Sequence, residues 1–341
     1  MIVDSFLFFQ ELDLLEIRLR YLNPFVDKFI IVESCQSFTG RRKEFNFEKN
    51  IKRYDKYLKK IIYFKITDFH KTVFDFYKYL AKKNNLVSKI MDNHNHYDKK
   101  LLWWVLEAYH RECIHFALQK NCKLNDIIII SDLDEIPSIN SLKKFKSNLG
   151  DQLPLRCKQY EFKYYLNSLY GDNWLGSIIA PYSYLRNKSL NVMRMETNKL
   201  KYEINGGYHF TSIGGVKSLK KKIESWGHQE FNLKLIKNNL LENLYYGRDA
   251  FYRYGFKRNS LINLESSEIF DETIRDILLD YKDLILPKKK KESIKSRIHY
   301  RYIQILVHFI HIKNNPEKVI KKSIMNIQKY LNLIHKFLSR N

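Results

Sequence analysis

The sequence predicts an α/β fold on a mostly parallel sheet flanked by helices, with a basic helical extension at its C-terminal end. Three observations carry this expectation. A strand–helix–strand pattern fills the first residues up to Ser34, four isoleucines run without alternation from Ile127 to Ile130, and lysines and arginines crowd the chain beyond Pro287. A βαβ unit implies a right-handed crossover between parallel strands.

Along the chain, "IVDSFLFF" reads as a buried strand and "ELDLLEIRLRYL" as an amphipathic helix. Leu12, Leu15, Leu19 and Leu22 share one face, with Glu11, Arg18 and Arg20 outside. Asn23-Pro24 stops that helix. "DKFIIVES" and "KKIIYFKI" follow as strands, and residues 101–121 predict one long helix. "NDIIIISDLDEIPS" then gives a strand covered on both faces, as a central parallel strand requires, ended by Pro137. From about 155 to 215 the texture becomes short aromatic β-like segments, and Gly206-Gly207 and Gly214-Gly215 bracket "YHFTSI" as tight turns or close backbone approaches. Helical segments follow, and no internal repeat is present. The expected division is a catalytic domain over 1–286, with a nucleotide-binding half to about 150 and an acceptor half after it, then a tail over 287–341.

The chain carries 60 Lys and Arg against 37 Asp and Glu, a net charge of +23. Such a surplus points to an anionic partner. No finger spacing, RNA-binding aromatic motif or basic zipper accompanies it, so nucleic acid is not expected. Cys35, Cys113, Cys122 and Cys157 form no C-x-x-C pair and read as reduced, mostly buried thiols. With no basic n-region, cleavage site or membrane-spanning window, the expected setting is cytoplasmic, peripheral at most on the inner face of the plasma membrane.

Asp132, Asp134 and Glu135 stand at the carboxyl end of the isoleucine strand, where open α/β sheets bind their ligands. Acids this close repel one another unless something positive sits among them. An Asp-x-Asp there suits Mn²⁺ or Mg²⁺, which take carboxylate oxygens and leave positions for substrate phosphates. Alternation along an extended backbone would point both aspartates the same way. A capping cluster at a strand-to-loop turn is the plainer alternative. His209, behind the paired glycines, is a candidate metal ligand or base, and His228 a candidate ligand; each can equally be a structural histidine.

Four blocks of the chain, "DSFLFFQELDLLEIRLRYLNPFVDKFIIVES…TG", "DIIIISDLDEIPS", "GGYHFTSIGG" and "SWGHQEF", together resemble glycosyltransferase family 17. That is the family of the β-1,4-mannosyl-glycoprotein 4-β-N-acetylglucosaminyltransferases and their bacterial relatives, and the resemblance spans roughly residues 1–260. It implies a GT-A-type, Rossmann-like fold, a nucleotide-sugar donor such as UDP-GlcNAc, and inversion at the anomeric carbon. Asp132 and Asp134 then correspond to the D-x-D that holds the metal and donor diphosphate. Glu33 stands where such enzymes put a carboxylate near the ribose or base. Arg111 resembles an arginine of the family block, suited to diphosphate, although a surface ion pair is an equal alternative. Glu11 matches the "ELD" of the family, as donor contact or helix brace. The base remains open among His209, Glu230, Glu224 and Asp249. Tyr208 replaces the more usual Trp, and the absence of a luminal anchor argues against a Golgi setting and puts a glycoprotein acceptor in doubt.

Beyond Pro287 stand fourteen Lys and Arg and two acids. Apolar residues at helical spacing, Ile294 to Ile312 and Ile320 to Leu338, make this tail a candidate for an anionic membrane surface or for packing on the catalytic domain. The expectation is thus a bacterial, cytoplasmic, metal-dependent inverting glycosyltransferase adding a sugar to a glycan or lipid-linked acceptor. A metal-dependent phosphodiesterase or nucleotidyltransferase is a rival, as is a non-catalytic basic membrane or nucleic-acid binder.

Overall fold

The computed structural model of the chain describes residues 1–93, 95–147, 154–196, 199–203, 205–287 and 291–314. They form two units. The first comprises Met1–Gln229 with Asn259–Lys289, and the second joins Glu230–Arg258 to the described residues that follow Lys290. Residues 230–258, expected in an acceptor half of the catalytic domain, thus group instead with the C-terminal helix.

Among the described residues, ten strands make the sheet of the first unit: β1 (Ile2–Leu7), β2 (Lys28–Ser34), β3 (Ile61–Ile66), β4 (Ile127–Asp132), β5 (Glu135–Pro137), β6 (Leu155–Lys163), β7 (Ser168–Pro181), β8 (Lys201–Glu203), β9 (Gly207–Thr211) and β10 (Ser260–Leu261). Their order is β3-β2-β1-β4-β7-β6-β9-β5, with β10 beside β7 and β8 beside β6. The first four strands are mutually parallel, as the βαβ pattern predicts. Past β4 the sheet turns mixed. β7 runs antiparallel to both β4 and β6, because a short connection from β6 allows only an antiparallel return. The fold is therefore mixed α/β, parallel in one half only.

Alternation along β4 explains the isoleucine run. Ile127 and Ile129 enter one core with Phe6, Leu15 and Leu19; Ile128 and Ile130 enter another with Val32, Leu106 and Leu118. The predicted long helix is two, Leu102–Glu112 and Ile114–Asn121. They break at Cys113, whose carbonyl accepts the Phe116 N–H at 3.1 Å in a tighter turn. All four cysteines are free, and three are buried.

One side chain departs sharply from its expected position. Arg18, read as facing outward from the helix Leu12–Leu22, is completely buried. Its Nε and Nη2 bind both oxygens of the equally buried Asp4, at 2.8 and 2.6 Å. Asp4 interrupts the apolar strand β1, and an uncompensated charge there would be costly, so it draws the arginine inward. Arg18 lies over the Phe6 ring, 4.5 Å from its centroid.

In the second unit the helix Ile294–Asn314 packs with the short helix Lys234–Asn238, and its Ser296 hydroxyl donates to Glu242 of the short helix Leu240–Tyr245. Arg248 pairs with Glu292, and Tyr252 stacks on Tyr300 at 4.7 Å. No helix among the described residues is long and apolar enough to cross a membrane. The second apolar stripe expected in the tail, Ile320 to Leu338, lies outside the described residues.

Candidate functional site

Strands β1, β2 and β4 end together, and the chain leaving each contributes to one cavity of about 320 Å³. Phe8, Phe9 and Glu11 come from β1, Gln36 and Phe38 from β2, and Asp132, Leu133 and Asp134 from β4. The helix Leu102–Glu112 adds Glu107, His110 and Arg111, and Trp174, Arg194, His209, Lys222 and His228 complete the polar wall. This is where the parallel strands give way to an antiparallel neighbour, the sort of position at which open α/β sheets bind ligands. The volume falls within the usual range for small-molecule sites.

The acid cluster does not lie on one extended strand as expected. β4 stops at Asp132 and the chain turns before β5 begins at Glu135. Arg18 dictates that turn from beneath: its Nη1 donates to the carbonyls of Asp132, Leu133 and Glu135, at 3.1, 3.0 and 2.8 Å. Three carbonyls converging on one guanidinium cannot belong to a flat strand, so the two aspartates part company and find different partners.

Asp132 is held by two arginines. Its Oδ1 lies 3.2 Å from Arg111 Nη2, and its Oδ2 2.7 Å from Arg194 Nη2. Burial works to raise the Asp132 pKa, but Arg194 and Arg111 outweigh it and hold the carboxyl below its ordinary range. Arg194 also reaches the buried Glu135, whose Oε1 accepts from its Nη1 at 2.6 Å and from Trp174 Nε1 at 2.8 Å. Arg111 is fixed in turn by Asn191 Oδ1.

Asp134 faces His209 and Lys222, with Oδ2 3.6 Å from Nε2 and 3.7 Å from Nζ. Burial again opposes ionisation, and His209, Lys222 and Arg194 overcome it and depress the Asp134 pKa strongly. His209 stands opposite Glu135 in the β5–β9 ladder and stacks on Trp174 at 4.2 Å. Gly207 makes that ladder possible. It has φ +132°, and an added Cβ would lie 2.1 Å from the Ile136 carbonyl. The other ring nitrogen of His209, Nδ1, is buried without a hydrogen-bond partner. His110 is buried beside Phe38, and burial lowers its pKa to about 3, keeping the ring neutral.

The cavity thus brings together Asp132, Asp134, Arg111, His209, Glu11 and His228 of the expected site residues. Glu33 behaves differently. It is buried and fully engaged, accepting from Lys43 Nζ and the Asn46 and Phe47 N–H groups at 2.6, 2.6 and 3.0 Å, and from Tyr63 OH at 2.9 Å. Its neighbours Val32 and Ser34 line the cavity, so strand alternation turns Glu33 to the opposite face. It braces the loop after β2 and is not placed to touch a ribose there. Glu230 and Asp249 belong to the second unit, where the Asp249 carboxylate is taken by Arg253. Glu224, in the first unit, does not line the cavity.

The metal set expected from the sequence, Asp132, Asp134, His209 and His228, is not assembled. Among the described residues no three His, Cys, Asp or Glu side chains group to hold a metal ion. Both Asp132 oxygens belong to arginines, and His228 packs on Trp104 and Trp226 at 4.8 and 5.2 Å. What remains is the pair Asp134 and His209. One carboxylate and one imidazole fit an ion that takes its other positions from water and substrate phosphate, the habit of Mg²⁺ and Mn²⁺.

Arg194, Lys222 and Trp174 were not foreseen. Arg194 and Lys222 are the positive charge that the acid cluster demands.

Among known proteins, the family model described as Glycosyltransferase family 17 matches residues 1–102. The matched segment includes β1 to β3 and ends ahead of the Asp-x-Asp. No curated protein matches the chain. A crystal structure of 4-diphosphocytidyl-2C-methyl-D-erythritol synthase aligns over 60% of this chain and 88% of its own, at 10% identity and a TM-score of 0.31, a likeness too loose to bear on function.

Proposed function

We propose, on the strength of the match of residues 1–102 to the family 17 glycosyltransferases, that the cavity binds a nucleotide-sugar donor and transfers its sugar to a glycan or lipid-linked acceptor. The observation that carries the reading is the pairing of two carboxylates with Arg111, Arg194 and Lys222 at the ends of β1, β2 and β4. An acid cluster already neutralised by three cations can exchange part of that pairing for a diphosphate. Arginine suits this because its planar fork meets phosphate oxygens in pairs. Phe9, Phe38 and Trp226 supply aromatic faces for a nucleobase.

In this reading the fold is of GT-A type, the donor is UDP-GlcNAc, and transfer inverts the anomeric centre. The acceptor oxygen bonds to the anomeric carbon as the bond from that carbon to the diphosphate oxygen breaks, and the electron pair leaves with the diphosphate. Arg111, Arg194 and Lys222 receive the growing charge, and their fixed positions spare the cost of reorganising solvent. The acceptor proton passes to a carboxylate of the wall. Glu11 and Glu107 line the cavity outside the Asp132–Arg194–Glu135 group and are the bases proposed. Asp134 and His209 would hold Mn²⁺ or Mg²⁺, which supplies Lewis-acid assistance to the leaving diphosphate when bound.

A cytoplasmic site of action, against the anionic inner face of a membrane where a lipid-linked acceptor lies, suits the +23 charge. Mass spectrometry of products from a panel of nucleotide sugars with glycan and lipid-linked acceptors tests the reading. A sugar-extended product supports it. Release of nucleotide monophosphate without any sugar transfer would favour the phosphodiesterase alternative.

A further inference from the structure

The helix Ile294–Asn314 has two apolar faces, and among the described residues only one is buried. Ile303 and Val307 are buried within the second unit. Ile294, Ile298, Tyr302, Ile305 and Phe309 are 76, 66, 57, 48 and 62% exposed. Steps of four, four, three and four bring these five onto a single stripe, because residues three and four apart are neighbours on a helix. Turning 100° per residue puts Lys295 and Lys313 along one border of the stripe, and Arg297, Arg301 and His308 along the other. No Asp or Glu occurs between Ile294 and Asn314. At a rise of 1.5 Å per residue the helix is roughly 30 Å long, so the stripe is a substantial exposed apolar surface.

We propose that this face docks on an anionic lipid bilayer, lying in the plane of the headgroups with its five apolar side chains below and its cations at phosphate level. Charge selects this occupant over the other two available. Residues 315–341 add six Lys and Arg against one Glu, and a second copy would bring the same cations, so either would set like charge against like. An anionic surface complements both borders, at about 1 kcal/mol per cation near it. A helix with an apolar stripe of Ile and Phe rimmed by Lys and Arg is the pattern that binds membrane interfaces rather than spanning them. The inference deepens the membrane placement given above but does not depend on sugar transfer, so vesicle binding and turnover can fail separately.

The test uses the full chain with vesicles of phosphatidylcholine alone or with about a third phosphatidylserine, scored by sedimentation. Binding at low salt should be at least tenfold stronger to the phosphatidylserine vesicles and should fall as ionic strength rises. Substituting Ile298→Glu and Phe309→Glu together should remove it without lowering the melting temperature, since both side chains are exposed. In a Tyr302→Trp variant the emission should shift to the blue on phosphatidylserine vesicles and not on neutral ones. Three results would each overturn the proposal: indifference of the full chain to phosphatidylserine, an emission of the Tyr302→Trp variant that stays unshifted, or a glutamate pair that leaves binding intact. Insolubility or a lower melting point of the glutamate variant, with no vesicle binding by the parent, would reassign the stripe to residues 315–341. Self-association without vesicle binding would reassign it to a second copy.

Discussion

Arg18 donates to the main-chain carbonyl of Asp132 at 3.1 Å while both oxygens of Asp4 grip the same guanidinium. A salt bridge sealed in the core thereby fixes the turn that separates the two aspartates of the site. Buried ion pairs add little net stability compared with apolar residues, but breaking one leaves a charge stranded.

Arg18→Met should therefore cost about 3–5 kcal/mol and lower the melting temperature by many degrees, because Asp4 stays buried without a partner. The double variant Arg18→Met with Asp4→Leu should recover much of that stability. It should not recover activity, since nothing then holds the carbonyls of Asp132, Leu133 and Glu135. Thermal melts paired with a transfer assay separate the two effects.

Arg194→Ala should weaken donor binding about 10–100-fold, the scale of losing a hydrogen-bonded charge. Arg194→Lys should rescue only part, because an ammonium cannot span Asp132 and Glu135 as the guanidinium fork does. Titration calorimetry with UDP decides this. Equal affinity for all three proteins would remove Arg194 from the diphosphate site.

Much of this site was legible in the sequence, and the reasons for the rest are physical. Asp132 and Asp134 stood out because acids crowd the end of a run with no polar residue in it. Arg111 stood out through family resemblance. Arg194 and Lys222 did not, because Arg194 stands in "NVMRMETNK" with nothing to mark it, "VKSLKKKIES" offers four lysines, and only docking of their helices brings one cation from each to the acids. Arg18 is hidden from the sequence pattern, since an arginine on an amphipathic helix usually faces water. The signal that could have revealed it was Asp4, a lone acid in a strand otherwise built for the core. Glu33 stands at a strand end as a donor-binding carboxylate would, but alternation with Val32 and Ser34 turns it away. In the fold, the parallel half was readable from its βαβ pattern. The mixed half was not, because short aromatic segments reveal strands without revealing their partners.

His110 should make stability fall on acidification. Its pKa drops on folding from about 6.5 to about 3 because the ring is buried. Between those values the unfolded chain binds a proton that the folded one refuses, so stability rises with pH through this window and is lost as pH falls. The depressed Asp132 and Asp134 act in the same direction at lower pH: their contribution is present above the ordinary carboxylate range and disappears below it. Denaturant midpoints at pH 7, 6, 5 and 4 should decline in the parent, and His110→Phe should flatten the pH 4–6 portion. An unchanged slope in that variant would place the acid sensitivity elsewhere.

His209→Ala should lower turnover on the order of 10² or more, the usual scale for a group acting directly on the reaction. A variant with near-normal turnover but a melting point several degrees lower would make the stacked ring on Trp174 its only role.

If Asp134 and its neighbours hold a divalent ion and a nucleotide-sugar diphosphate during transfer, the rate of sugar transfer from UDP-GlcNAc must follow both the ion and the carboxylate. Measured in Mn²⁺, after full chelation, and with Asp134→Ala, turnover should need the ion, vanish on chelation, return when Mn²⁺ is restored, and be absent in the folded Asp134→Ala protein. Transfer at the normal rate by fully chelated enzyme, or by Asp134→Ala, would contradict this.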